Sequence, residues 1–242
     1  MLFKARKFPI MLAICLFQLL LPNPARALDA LQKLAIETTR EASSGLECGS
    51  KCDHSVLADK TVRIAGSQLR TVVVGSIAAG EDCHACAPQL SLFAYRLSEG
   101  KWDPVAQSIA ATTMGSWGAG PEISVEPYST NTLGLNMDAG YCGQGYCSDM
   151  RLIWFLRGSG FEEVACYATG ADNSGAVGEN SRNLESWEVA SIFDAKSEEV
   201  GSVTLVVTNL KNRKKRKYEL PFSNGRFDSS SLPEGLKGNC DQ

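Results

Sequence analysis

Cys83-His84-Ala85-Cys86 is the segment of this chain whose residue types most invite chemistry. Two thiols three residues apart around an imidazole suit a redox dithiol, a metal knuckle or a structural disulfide. A redox dithiol sits at a helix N-terminus, where the dipole lowers the first thiol's pKa. Here the downstream "PQLSLFAYRL" has the composition of a strand. Haem attachment needs a histidine directly after the second cysteine, and Ala87 stands there. Zinc would draw on Cys48, Cys52, His54, Cys83, His84 and Cys86. Its sulfur ligands must remain thiolates, which an oxidising compartment opposes. The expectation is a structural disulfide with neither metal nor cofactor, and thiol–disulfide exchange at Cys83 and Cys86 is the alternative.

The compartment follows from the first residues. Lys4, Arg6 and Lys7 precede an apolar run from Ile10 to Leu21, and Ala25-Arg26-Ala27 closes it. That is the pattern of a signal peptide over residues 1–27. The run is too short for a membrane-spanning helix, which needs roughly 20 residues, and no membrane span is expected after cleavage. Removing Cys15 with the leader leaves Cys48, Cys52, Cys83, Cys86, Cys142, Cys147, Cys166 and Cys240. An even count in an exported chain predicts disulfides: three between near neighbours, and Cys166 with Cys240. The absence of an Asn-x-Ser/Thr sequon favours a bacterial periplasm or exterior.

Other chemistry is thinly supported. Neither His54 nor His84 has an evident serine partner, no G-x-S-x-G elbow occurs, and "TMGSWGAGPE" lacks the lysine of a phosphate loop. That glycine-rich stretch predicts a turn around a packed Trp117. "NMDAG" at 136–140 and "ADNSG" at 171–175 offer oxygen ligands near glycines, but neither completes a calcium loop. Glu162-Glu163 and Glu198-Glu199 are adjacent pairs whose side chains would diverge on strands, and solvated surface is expected. The leader holds four basic residues and no acids, so 20 basic and 27 acidic residues remain, a charge of about −7 that gives no reason to expect nucleic acid. "KNRKKRK" stands out against it. Lys211, Arg213, Lys214, Lys215, Arg216 and Lys217 form either a solvated hairpin loop or a salt-sensitive contact with an acidic partner.

The elements that would position these groups are mostly strands. "LDALQKLAIETTREA" predicts one N-terminal helix within 28–45, with Leu28, Leu31, Leu34, Ala35 and Thr38 on its apolar stripe. From Thr61 onward short β-branched and aromatic runs alternate with Gly, Asn and Ser. A degenerate unit occurs three times in the β-rich domain at 46–242, over 71–107, 132–166 and 204–228. Each has a strand, a connection, a second strand and a glycine turn leading to an aromatic residue and an acid: "EGKWD", "GSGFE" and "NGRFD". Pro221 in the third unit indicates an edge strand.

The predicted class is mainly β, disulfide-stabilised, with one N-terminal helix: a sandwich, a barrel or a small propeller-like array of three meanders. If the units pair alike, the connections between first and second strands share one end. That rim holds His84, Tyr141, Tyr146, Arg213, Lys214, Lys215 and Arg216, with Trp117 as a further aromatic. The expected function is a non-enzymatic exported domain binding a protein or glycan partner there, or else a structural part of a cell envelope.

Overall fold

The computed structural model describes residues 28–81 and 83–238. The expected signal peptide and Cys240 lie outside the described residues.

The chain opens with α1 (Ala30–Glu41). Asp29 caps it, accepting from the backbone N–H groups of Leu31 and Gln32 at 3.0 Å each, while the Gln32 side chain accepts from Asp29 N–H. This reciprocal box satisfies donors that an α-helix leaves open at its start. The buried stripe is Ala35, Ile36 and Thr39, with Leu31 at its margin. The expected stripe is therefore rotated: Leu28 and Leu34 are exposed. Arg70, bound to both Asp29 and Asp59, ties the helix cap to the sheet below.

Four strands follow in chain order as an antiparallel meander: β1 (Cys52–Ile64), β2 (Ser67–Ala78), β3 (Gln89–Ser98) and β4 (Lys101–Thr113). β1 begins nine residues before the expected start of strand structure at Thr61. Val72 and Val74 of β2 pack with Phe93 and Tyr95 under α1, whereas Val73, Leu90, Leu92 and Ala94 face the other way. Alternation places these on opposite faces, so both faces of this sheet are covered.

A second sheet runs β5 (Glu122–Pro127), β6 (Leu133–Gly143), β7 (Tyr146–Arg157), β8 (Gly160–Asp172), β9 (Ser186–Ile192), β10 (Val203–Asn209) and β11 (Lys215–Leu220), again each beside its chain neighbour. A four-residue helix, α2 (Ser174–Val177), lies between β8 and β9. Leu133, Leu135, Met137, Leu152, Trp154 and Phe161 meet the first sheet in the main core, so the molecule is a β-sandwich. Its edges are stitched by Ala65 N–H to Thr130 C=O at 2.9 Å and Gln107 N–H to Ser159 C=O at 3.0 Å.

β8 pairs with β9 only through Gly170, Ala171 and Asp172. Beyond that point β9–β11 pack across the outer face, burying Val203, Leu205 and Leu220 with Ile153, Phe155 and Tyr167. The first two expected units are β2–β4 and β6–β8. They share a device: Val105 and Val164, each three residues after the turn aromatic (Trp102, Phe161), are skipped in the pairing register. The third departs, because Pro221 ends β11 and the chain leaves to form the separate hairpin β12 (Phe222–Ser223) and β13 (Arg226–Phe227). While β12 and β13 pair only with each other, its β10 and β11 belong to the second sheet. β11 is that sheet's edge strand.

Candidate functional site

Because both sheets are meanders, the strand directions decide what shares an end. β2, β4, β6, β8 and β10 all run toward one end, where the segments 79–88, 114–121, 144–145, 173–185 and 210–214 emerge. Three disulfides gather there: Cys48–Cys52 before β1, Cys83–Cys86 after β2 and Cys142–Cys147 across the β6–β7 hairpin. Cys166 is also disulfide-bonded, while its expected partner Cys240 lies outside the described residues.

The CHAC stretch forms a tight turn, with Cys86 N–H donating to Cys83 C=O at 2.9 Å. β3 follows rather than a helix, so no helix dipole bears on Cys83. The six sulfurs of Cys48, Cys52, Cys83, Cys86, Cys142 and Cys147 are bonded in pairs. Among the described residues no three His, Cys, Asp or Glu groups converge as a metal site. The candidate calcium oxygens are engaged elsewhere. Asn136 is buried among Tyr128, Ser124 and Glu126, Asp138 pairs with Arg151 at 2.7 Å, and Asp172 binds the backbone and hydroxyl of Ser174. Glu162 pairs with Arg157 at 3.3 Å, while Glu163 is half-buried instead of solvated. His54 is not a bare surface residue: its Nδ1 lies 2.9 Å from Ser76 Oγ, and partial burial pushes its pKa down.

His84 has a different setting. Its ring lies between Trp117, with centroids 4.5 Å apart, and Tyr141, 4.6 Å away and nearly parallel. Two loops and the end of β6 therefore supply one stack. Trp117 N–H donates to His84 C=O at 3.4 Å, Gly118 N–H to Cys86 C=O at 2.9 Å, and Ser116 Oγ reaches Gly140 C=O at 3.5 Å. The expected packing of Trp117 in a turn is corrected, since 61% of the residue is exposed. Its backbone is left-handed, at φ +55°. The tight return of this loop needs Gly115, where a Cβ would stand 2.0 Å from Ala119 O.

Tyr141 and Tyr146 are 50% and 56% exposed. Pairing of Tyr141 with Ser148 and of Gly143 with Tyr146 puts both tyrosines on one face of the hairpin, and the Tyr141 ring lies over Gly143. Gln144 and Gly145 both take positive φ, as a two-residue hairpin turn demands. Asp149, which the sequence did not single out, occupies the opposite face between Gly140 and Gly170. The signal was available only as two glycines facing it across neighbouring strands.

The basic run occupies the β10–β11 hairpin at the same end. Asn209 Oδ1 accepts from Lys211 N–H at 3.1 Å and Asn212 N–H at 3.0 Å, and Asn212 Oδ1 accepts from Lys214 N–H at 3.0 Å. Arg213, Lys214, Lys215, Arg216 and Lys217 point into solvent, with no ion pair among the described residues. A cavity of about 650 Å³ lies elsewhere, beside Cys166, Phe227 and Asp228. It is bounded by the C-terminal segment, whose last four residues lie outside the described set, and we place no site there.

Comparisons with protein-family models, with curated proteins and with solved structures give no match. Function is accordingly argued from the rim's chemistry.

Proposed function

We propose that this chain is an exported, disulfide-braced β-sandwich that binds a protein or glycan partner at its aromatic rim, without catalysis. The observation that carries this is the Trp117–His84–Tyr141 stack, built from two loops and the end of β6 and left open to solvent. Rigid aromatic side chains supply contact area at little cost in conformational entropy, and they dominate binding energy where they occur. The disulfides on either side limit the ordering that binding would otherwise require. Disulfides also persist in oxidising compartments, which fits the signal-like leader. Among the described residues no helix is long and apolar enough to cross a membrane.

The test is binding of the oxidised protein to immobilised extracellular proteins and glycans, compared with Trp117→Ala and Tyr141→Ala. Truncating a central aromatic costs more than about 1–2 kcal/mol at such sites, so affinity should fall roughly tenfold or more in each variant. A partner held equally tightly by both variants would place the binding surface elsewhere.

A further inference from the structure

The geometry points to an acidic polysaccharide as the rim's partner, its sugar rings stacked on Trp117 and Tyr141 and its anionic groups received by the β10–β11 hairpin. This rests on the binding role proposed above and adds the chemistry of the ligand.

Two features of one end of the molecule carry it. The β6–β7 tip and the β10–β11 tip are separated by four strand spacings, a path of about 19 Å across the sheet. Between them the connection from β8 to β9 touches both. Gly145 packs so closely on Gly175 and Ala176 that a Cβ would stand 2.4 Å from Ala176 N, and Lys211 Nζ donates to Ser181 C=O at 2.9 Å. The connector thus touches both tips at this end of the molecule. The tyrosines lie on the side of the first sheet and β9–β11 on the other face, so that a chain bound to both passes over the rim. The cations are held out on a hairpin whose shape is fixed by Asn209 and Asn212, with Arg213 at φ +58°. Charge repulsion within such a run is relieved by an external anion.

A pyranose ring offers an apolar C–H face to an aromatic ledge and carries carboxylate or sulfate at intervals, which matches apolar and cationic groups set apart. Single-stranded nucleic acid asks for cations interleaved with the rings along the whole track. Here the rings stand at one end of the path and the cations at the other. Glu179 and Glu185, exposed on the connector, would be pressed against a uniform sheet of anionic headgroups. Charges spaced along a flexible chain can avoid them.

The experiment measures binding of the oxidised protein to a polyuronate oligomer and to a heparin oligomer. A neutral dextran of similar length, vesicles containing phosphatidylglycerol and a single-stranded oligonucleotide serve as controls. The variants are Trp117→Ala, Tyr141→Ala and a combined Arg213→Gln, Lys214→Gln, Lys215→Gln, Arg216→Gln chain, all exposed positions, each checked for an unchanged thermal midpoint. The expected result is binding to at least one acidic oligomer that weakens roughly tenfold or more in every variant. It should also fall steeply with salt in the wild type and much less in the glutamine chain. Binding of neither acidic oligomer overturns the inference, as do stronger binding to vesicles or oligonucleotide and an unaltered affinity in the glutamine chain. A neutral glycan or protein lost only with Trp117 and Tyr141 would overturn it while leaving the rim's binding role intact. Binding lost only in the glutamine chain would remove the ledge, and with it both readings.

Discussion

At the scale of single residues, Trp117 is the side chain whose placement conflicts most with its chemistry. A large aromatic held in the left-handed region and left 61% exposed gains little from burial and carries a backbone cost of roughly 1–3 kcal/mol. Its return is one ring contact with His84, of about 0.5–1.5 kcal/mol. Trp117→Gly removes both terms, since glycine adopts positive φ freely. The denaturation midpoint should therefore correspond to a change within about 1 kcal/mol of wild type, while rim binding is lost. A large loss of stability would show that the indole holds the loop together and is not reserved for a partner. The sequence marked Trp117, His84 and Tyr141 by type alone. A shared rim was expected, but their contact was not legible, because it depends on two loops and a strand end, 24 to 33 residues apart in turn, converging after two sheets have packed. Glycines around Trp117 argued for a turn, and a turn does not say whether its large residue points in or out.

At the scale of elements, α1 is a 12-residue helix, short enough to be marginal without its cap and its docking face. Asp29→Ala removes the acceptor for Leu31 and Gln32 N–H and one of the two carboxylates on Arg70. A loss of about 0.5–2 kcal/mol is expected in the denaturant midpoint. The backbone N–H of Gln32, and after it Arg70, hold the Asp29 carboxyl below its ordinary value. A lowered folded-state pKa means that this contribution is fully present above about pH 4 and is lost as pH falls through the lowered value. The wild type should thus lose more stability than Asp29→Ala on acidification, less so at high salt because Asp29 is half exposed. Equal acid sensitivity would mean that the cap acts only as a neutral hydrogen-bond acceptor. The helix was legible from its apolar periodicity and the hairpins from their glycine turns, which are local signals. The buried stripe of α1 was misplaced by one face, since several of its leucines fit any stripe and only the sheet below selects Ala35, Ile36 and Thr39. The first half of β1, "CDHSVLADK", was missed because cross-strand pairing with β2, not β propensity, makes it a strand.

At the scale of the whole molecule, the mainly β class with a leading helix was readable from composition and turn spacing, but the layering was not. The segment after Pro221 has no hydrophobic period, yet it lays Phe227, Leu232 and Leu236 over Tyr128, Ile153 and Phe155, all at most 5% exposed. Isolated apolar residues at irregular spacing give no signal until a finished sheet offers them a surface. Phe222 and Phe227 join Tyr128 and Phe155 in a continuous set of ring contacts with centroids 4.9 to 6.2 Å apart. Burying Phe227, Leu232 and Leu236 contributes about 5–9 kcal/mol at roughly 1.5–3 kcal/mol each. That rivals the 5–15 kcal/mol by which domains are stable at all. A chain ending at Leu220 is therefore expected to lose cooperative unfolding and near-ultraviolet dichroism and to bind a hydrophobic dye, while the full chain does none of these. Leu232→Ala, which leaves the segment in place, should cost about 2–5 kcal/mol. A truncated chain that keeps the full chain's midpoint would reduce the segment to a cover over a core complete without it. The outer face would then have to be held by β9–β11 alone, through Val203, Leu205 and Leu220.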